Sequence, residues 1–258
     1  MSYRYDEDLE FLREMSSEDL NDLVEVIVGK KDDKRLTETL SVHSLYKKYY
    51  PDHKEYVEPI MEEIQTFGGN TFANIFRGGK EVLYREILCD VAKKLKVEYD
   101  KAAPTRAIEE SLYCKIMSDA LEKMSDSEVD AAISDLGLNS PEILRAMGQG
   151  DYFSLPKRQF ATIALQLALR GGGLATYKVA LIIANTVWKA LFSHGLSLAA
   201  NAALTRALSV AIGPIGWILT GLWTAVDMAG AAYRVTVPAV IQVACLRLIH
   251  DQRKQGNI

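Results

Sequence analysis

The segment QTFGGNTFANIFRGGKEVLYREIL, residues 65–88, carries two diglycines, and a lysine follows the second. Glycines leading into a lysine are what a loop uses to wrap its backbone amides around a phosphate, so nucleotide chemistry is the first possibility to test. A phosphate loop needs Gly-x-x-x-x-Gly-Lys-Ser/Thr. Here Gly79-Lys80 is followed by Glu81, and Asn74 holds the place of the first glycine. A carboxylate thus replaces the hydroxyl that would bind magnesium, and G-x-G-x-x-G is absent as well. The segment reads instead as a helical corner. Gly68 or Gly69 takes the left-handed conformation that ends a helix, and Asn70 caps the next. Phe72, Ile75 and Phe76 give that next helix an apolar face, Gly78-Gly79 closes it, and Lys80 starts a longer one.

Other reactive residue types are spread thinly. The acid pairs Glu62-Glu63 and Glu109-Glu110 fall on amphipathic helices, where a solvated face accounts for them. His43, His53, His194 and His250 stand singly, without the short ligand repeats of a zinc site. Cys89, Cys114 and Cys245 are far apart and odd in number, which predicts reduced, buried thiols. There is no G-x-S-x-G, no H-E-x-x-H and no cysteine close to a histidine. The sequence therefore predicts no catalytic residue, no cofactor and no metal. Tyr46, Tyr49 and Tyr50 with Lys47 and Lys48 form a basic aromatic spot. Such spots stack nucleic-acid bases, but this one sits within an acidic half. It reads as a patch for a protein partner, and no nucleic acid is expected.

The elements that hold these residues are helical. Val82, Leu83, Ile87, Leu88, Val91 and Leu95 recur at steps of three and four, as do Ile108, Leu112, Ile116, Ala120 and Met124 after Pro104. Pro104 stands where a helix begins. No stretch alternates with period two, so the expected class is all-α, a multi-helix bundle. LREMSSEDL and LEKMSDSEV, from Leu12 and Leu121, each place a serine three residues before an acid. That spacing predicts a helix ending near the methionine and a new one capped by Ser16 or Ser125. Two such corners fall short of a repeat array.

Charge divides the chain of 258 residues. Residues 1–159 hold 32 acidic and 22 basic side chains, a balance of −10, and residues 160–258 hold 2 and 8, a balance of +6; the sum is the net −4. The predicted organisation is an acidic helical domain over 1–150, opening with a small module over 1–35, and an apolar helical domain over 151–258. The acidic N-terminus has no apolar segment of a secretory signal, which predicts a cytoplasmic protein.

Between Arg206 and Asp227 the chain carries no charge. Those 20 residues match a bilayer-spanning length, yet Gly213-Pro214 interrupts them. The better parse is a hairpin near 196–233, with Gly213-Pro214 at its corner. Its second arm has Gly221, Ala225 and Ala229 as a small-residue ridge, and Asp227 and Arg234 are expected to pair with each other or with other polar groups. Three readings stay open: a buried bundle core, a membrane-associated domain, and a bundle that opens to insert the hairpin. The localisation expected is cytoplasmic, or peripheral at or inserted in the inner membrane.

The blocks Phe67-Gly68-Gly69, Ala73-Asn74, Arg77-Gly78, Tyr84-Arg85, Ile87-Leu88 and Asp90-Val91, with the tail AAYRVTVPAVIQVACLR (231–247), resemble the bacterial YaaW family. LEFLREMSSEDL also resembles the small module that opens these proteins. Phe67, Gly68, Gly69, Asn70, Arg77, Gly78, Tyr84, Arg85 and Asp90 are then candidate family-motif residues. The resemblance implies a central region distantly similar to the ubiquinol–cytochrome c chaperones, and an all-α, non-enzymatic protein acting on other polypeptides near a membrane. It supplies no catalytic residue, and the oligomeric state stays open. A chaperone- or adaptor-like interaction protein is the leading expectation, with a membrane-inserting toxin or defence effector as the alternative.

Overall fold

Both serine corners form. Ser16 Oγ accepts the Asp19 N–H at 3.2 Å, and the Asp19 carboxylate accepts the Ser16 N–H at 3.1 Å. The Ser125 N–H and hydroxyl both donate to Glu128 at 2.7 Å. These reciprocal contacts satisfy amides that a helix start leaves open. Pro104 precedes a helix that begins at Thr105, and Ser140 caps another with Pro141 in its first turn.

The computed structural model describes residues 3–29, 38–76, 82–148, 152–171, 174–192 and 233–256. Among them the fold is all-α, without strands. The helices are α1 (Ser17–Val28), α2 (Ser44–Tyr49), α3 (Val57–Phe76), α4 (Tyr84–Lys94), α5 (Thr105–Lys123), α6 (Asp126–Asp135), α7 (Pro141–Met147), α8 (Lys157–Gly171), α9 (Leu174–Phe192) and α10 (Tyr233–Lys254). Tight 3-10 turns occupy Glu10–Glu14, Leu40–Val42, His53–Tyr56 and Tyr152–Ser154.

The helix α10 positions the rest. It packs against α1, α3, α4, α5, α9 and the Glu10–Glu14 turn. Val237, Val240, Ile241, Val243, Ala244, Cys245, Leu246 and Leu248 are buried on all sides of it, as expected of a helix surrounded by neighbours. Residues on both sides of the compositional boundary at 150 join one apolar cluster, from Leu9 and Leu12 through Ile108 and Leu112 to Ile183 and Ile249. Helix α8 leans on α5, α6 and α7, and Thr176 Oγ1 donates to the Ala168 carbonyl at 2.6 Å to fix α9 against it. No single described helix is long and apolar enough to cross a membrane. Residues Lys157–Gly171 and Thr176–Asn185 pass that test only as a pair bent by 103°.

Two expectations are corrected here. The backbone does not turn at Gly68-Gly69-Asn70: α3 runs unbroken from Val57 to Phe76. Its buried stripe of Val57, Ile60, Met61, Ile64 and Phe67 carries the helix up to the glycines, and glycine permits a left-handed turn without requiring one. Nor does the next helix run on from Lys80. Val82 and Leu83 are non-helical, and α4 begins at Tyr84. Arg77, Gly78, Gly79 and Lys80 lie outside the described residues, as do Gly213, Pro214, Gly221 and Asp227 and thus the hairpin; Arg234 stands in the first turn of α10. Left-handed glycines do close α1 and α7, at Gly29 and Gly148, and after α4 the non-glycine Lys96 takes φ 56°, where the Val97 N–H reaches back to the Ala92 carbonyl at 2.8 Å.

The three thiols are free, but only Cys245 is fully buried; Cys89 and Cys114 are half-buried, because each lies at the margin of its helix's apolar face.

Candidate functional site

The residues with the most chemistry meet in the core rather than on the surface. Arg247 projects from α10 and donates from Nε to Glu109 Oε2 of α5 at 2.9 Å and from Nη2 to the Asp8 carbonyl at 2.6 Å. Its guanidinium lies 4.5 Å over the Phe11 ring. The other carboxylate oxygen of Glu109 accepts the Tyr84 hydroxyl at 2.7 Å. The Tyr84 N–H, at the start of α4, donates to Asp6 at 2.6 Å, so Asp6 serves an amide that the helix start leaves open. Asp8 accepts the Thr105 hydroxyl at 2.7 Å, and the Tyr113 hydroxyl donates to the Ile241 carbonyl at 2.9 Å. Four parts of the chain, residues 6–11, α4, α5 and α10, thus close on one buried knot.

Burial sets its electrostatics. Desolvation raises the Glu109 carboxyl above its ordinary range, and Arg247 and Tyr84 oppose that rise. Burial and the neighbouring Glu109 charge push the Tyr84 phenol well up, and burial does the same to Tyr113. Arginine stays charged, so the knot is an ion pair with both carboxylate oxygens occupied. Such a pair costs desolvation on forming and costs more to break, because one charge is then stranded. Each of its oxygens already accepts a hydrogen bond inside the core. The knot orients helices.

This overturns the solvated reading of Glu109, and of Glu63. Glu63 is buried in α3 and accepts from the Thr39 N–H at 3.0 Å and from its hydroxyl, with burial raising its carboxyl. The signal was present in the spacing. Glu109 is in step with Tyr113, Met117 and Ala120, all buried, and Glu63 with Ile60 and Phe67. Each acid stands in step with buried apolar residues of its helix, where solvation is unavailable.

Of the motif residues, Tyr84 enters the knot, and Arg85 beside it donates to the Lys101 and Ala103 carbonyls at 2.9 and 2.7 Å, fastening the loop before α5. Phe67 lies in the core, and Asp90 is half-buried on α4. A second set of contacts ties the N-terminal module to α10. Arg253 donates from both terminal nitrogens to Asp19, and Glu14 meets His250 at 3.1 Å and Lys254 at 3.2 Å. Burial alone would raise Asp19, but hydrogen bonds from Arg253 and Ser16 hold it below its ordinary value.

Clefts open at the surface of the described residues. One, of about 690 Å³, runs along α5 between the 96–103 loop and α8 and passes Glu110 and Cys114. Another, about 430 Å³, lies beside α2 and is lined by Arg13, His43, Leu45, Lys54 and Pro59 among others. Neither is lined by Glu109 or Arg247.

Comparison with known proteins covers the whole chain. Residues 3–36 match a domain of unknown function, DUF3944, and residues 52–241 match the ubiquinol–cytochrome c chaperone model. A UPF0174 protein of Helicobacter pylori (strain J99) is 45% identical over 258 residues, covering 100% of this chain and 97% of the relative. A second from the same strain is 37% identical over 213 residues, covering 82% and 97%. The UPF0174 protein YaaW of Escherichia coli (strain K12) is 30% identical over 259 residues, covering 96% of each. No solved structure matches the chain.

Proposed function

The chain belongs to the UPF0174 family, with a ubiquinol–cytochrome c chaperone region and a DUF3944 module, and from that premise we propose that it is a non-enzymatic, chaperone- or adaptor-like protein that holds another polypeptide. The observation that carries this reading is the engagement of Glu109, Arg247 and Tyr84 with one another inside the core. The residues best equipped for acid–base work are used to fix helices. The similarity of residues 52–241 to a chaperone model supports the same reading.

Native purification of the untagged protein, with mass spectrometry of what co-elutes, tests it. A polypeptide in near-stoichiometric amount is expected, and folded Glu109→Gln protein should retain it. A turnover that disappears in Glu109→Gln, with no polypeptide captured from soluble or membrane fractions, would contradict the proposal.

A second reading rests on the uncharged run 207–226: insertion of the 196–233 hairpin into a bilayer. Dye-loaded liposomes left intact at neutral and acid pH would rule it out.

A further inference from the structure

The 3-10 turn Leu40–Val42 and the short helix α2 form a corner that differs from the rest of the surface. Four large apolar side chains are exposed among the described residues, and three of them, Val42 (63%), Leu45 (36%) and Tyr50 (58%), lie here within nine positions. Lys47 and Lys48 are exposed beside them, and no acid occurs between Leu40 and Pro51. In a front half with a balance of −10, this is a local exception.

The corner is held stiffly from below. The Tyr46 ring meets the Tyr50 ring at 5.2 Å and the buried Tyr56 ring edge-on at 5.4 Å, and His53 meets Tyr56 at 5.6 Å. The neighbouring acids are engaged elsewhere. Glu38 accepts from the Ser41 N–H and hydroxyl, Asp52 accepts from Ser17, and Glu58 pairs with Arg13 at 3.0 Å. Among the described acids, Glu55 is the one that bears on Lys48. The Lys48 ammonium lies 4.6 Å over the Tyr49 ring, a cation–π contact on an exposed side chain.

We propose that this corner docks onto an anionic bilayer surface. Exposed apolar tips, tyrosines that are apolar in body and polar at the end, and flanking lysines are the composition that settles at a headgroup boundary. A protein partner fits it less well, because the centres of protein interfaces favour tyrosine but are depleted in lysine. Val42 and Leu45 enter the boundary, Tyr50 rests at headgroup depth, and Lys47 and Lys48 meet lipid phosphates. This contact does not depend on the 196–233 segment or on capture of a polypeptide.

Sedimentation of the full chain with vesicles tests the corner. Wild-type protein is expected to pellet with vesicles of phosphatidylglycerol and phosphatidylcholine in equal parts, to be released by high salt, and to stay in solution with phosphatidylcholine alone. The pairs Val42→Asp with Leu45→Asp, and Lys47→Glu with Lys48→Glu, change exposed side chains, and wild-type melting curves would confirm that each pair folds. Each pair should weaken binding to the anionic vesicles by about tenfold or more. Absence of wild-type binding overturns the proposal, and so does binding by both variants at wild-type strength, which places the contact elsewhere. Loss of a co-purifying polypeptide in the variants with vesicle binding intact also overturns it, and assigns the corner to a protein.

Discussion

At the scale of single residues, Glu109 and Arg247 tie α5 to α10. Arg247→Met leaves a carboxylate in the core without its cation, a change that costs roughly 3–5 kcal/mol in comparable sites. Urea unfolding should show that loss. Adding Glu109→Gln to Arg247→Met should recover part of it, since no stranded charge remains; additive losses would mean that the two do not act as a pair. Asp19 gives a pH test. Its folded pKa is depressed by Arg253 and Ser16, so its contribution is present above the unfolded value near about 4 and is lost as pH falls through the folded value. Asp19→Asn should therefore be less stable than wild type at neutral pH by roughly 1–3 kcal/mol. The gap should close below about pH 4. Arg247 and Glu109 were hard to recognise as partners from sequence, since 138 positions separate them. Only the in-step burial of Glu109 with Tyr113 hinted that this acid was not solvated.

Elements were more legible where the decision is local. Ser16 and Ser125 cap helices because each meets an acid three residues on, and that spacing is visible without a fold. Pro104 likewise marks a start that its own geometry dictates. The glycines at 68 and 69 were misread for the opposite reason: glycine allows either conformation, and the buried stripe preceding it decides. Gly68→Ala and Gly69→Ala separate the two cases. Inside a continuous α3 each should raise stability by about 0.5–1 kcal/mol, read from thermal melts. At a left-handed corner each would lower it.

At the scale of the molecule, the charge split of the sequence concealed how its two ends meet. Composition placed residues 233–256 with an apolar back half, whereas α10 packs among α1, α3, α4 and α5 as well as α9. Apolar content alone says that a helix is surrounded and not by which neighbours. Cys245 reports on this arrangement. It is fully buried, its thiol is raised by burial, and it lies on the helix that both halves enclose. The most direct test uses the full chain with Cys89→Ser and Cys114→Ser, measuring the labelling rate of Cys245 across a urea series beside helical content. If the two halves share one body around α10, labelling should begin only with the cooperative loss of helix. Rapid labelling of Cys245 without denaturant, in protein that keeps its helical signal, would contradict it.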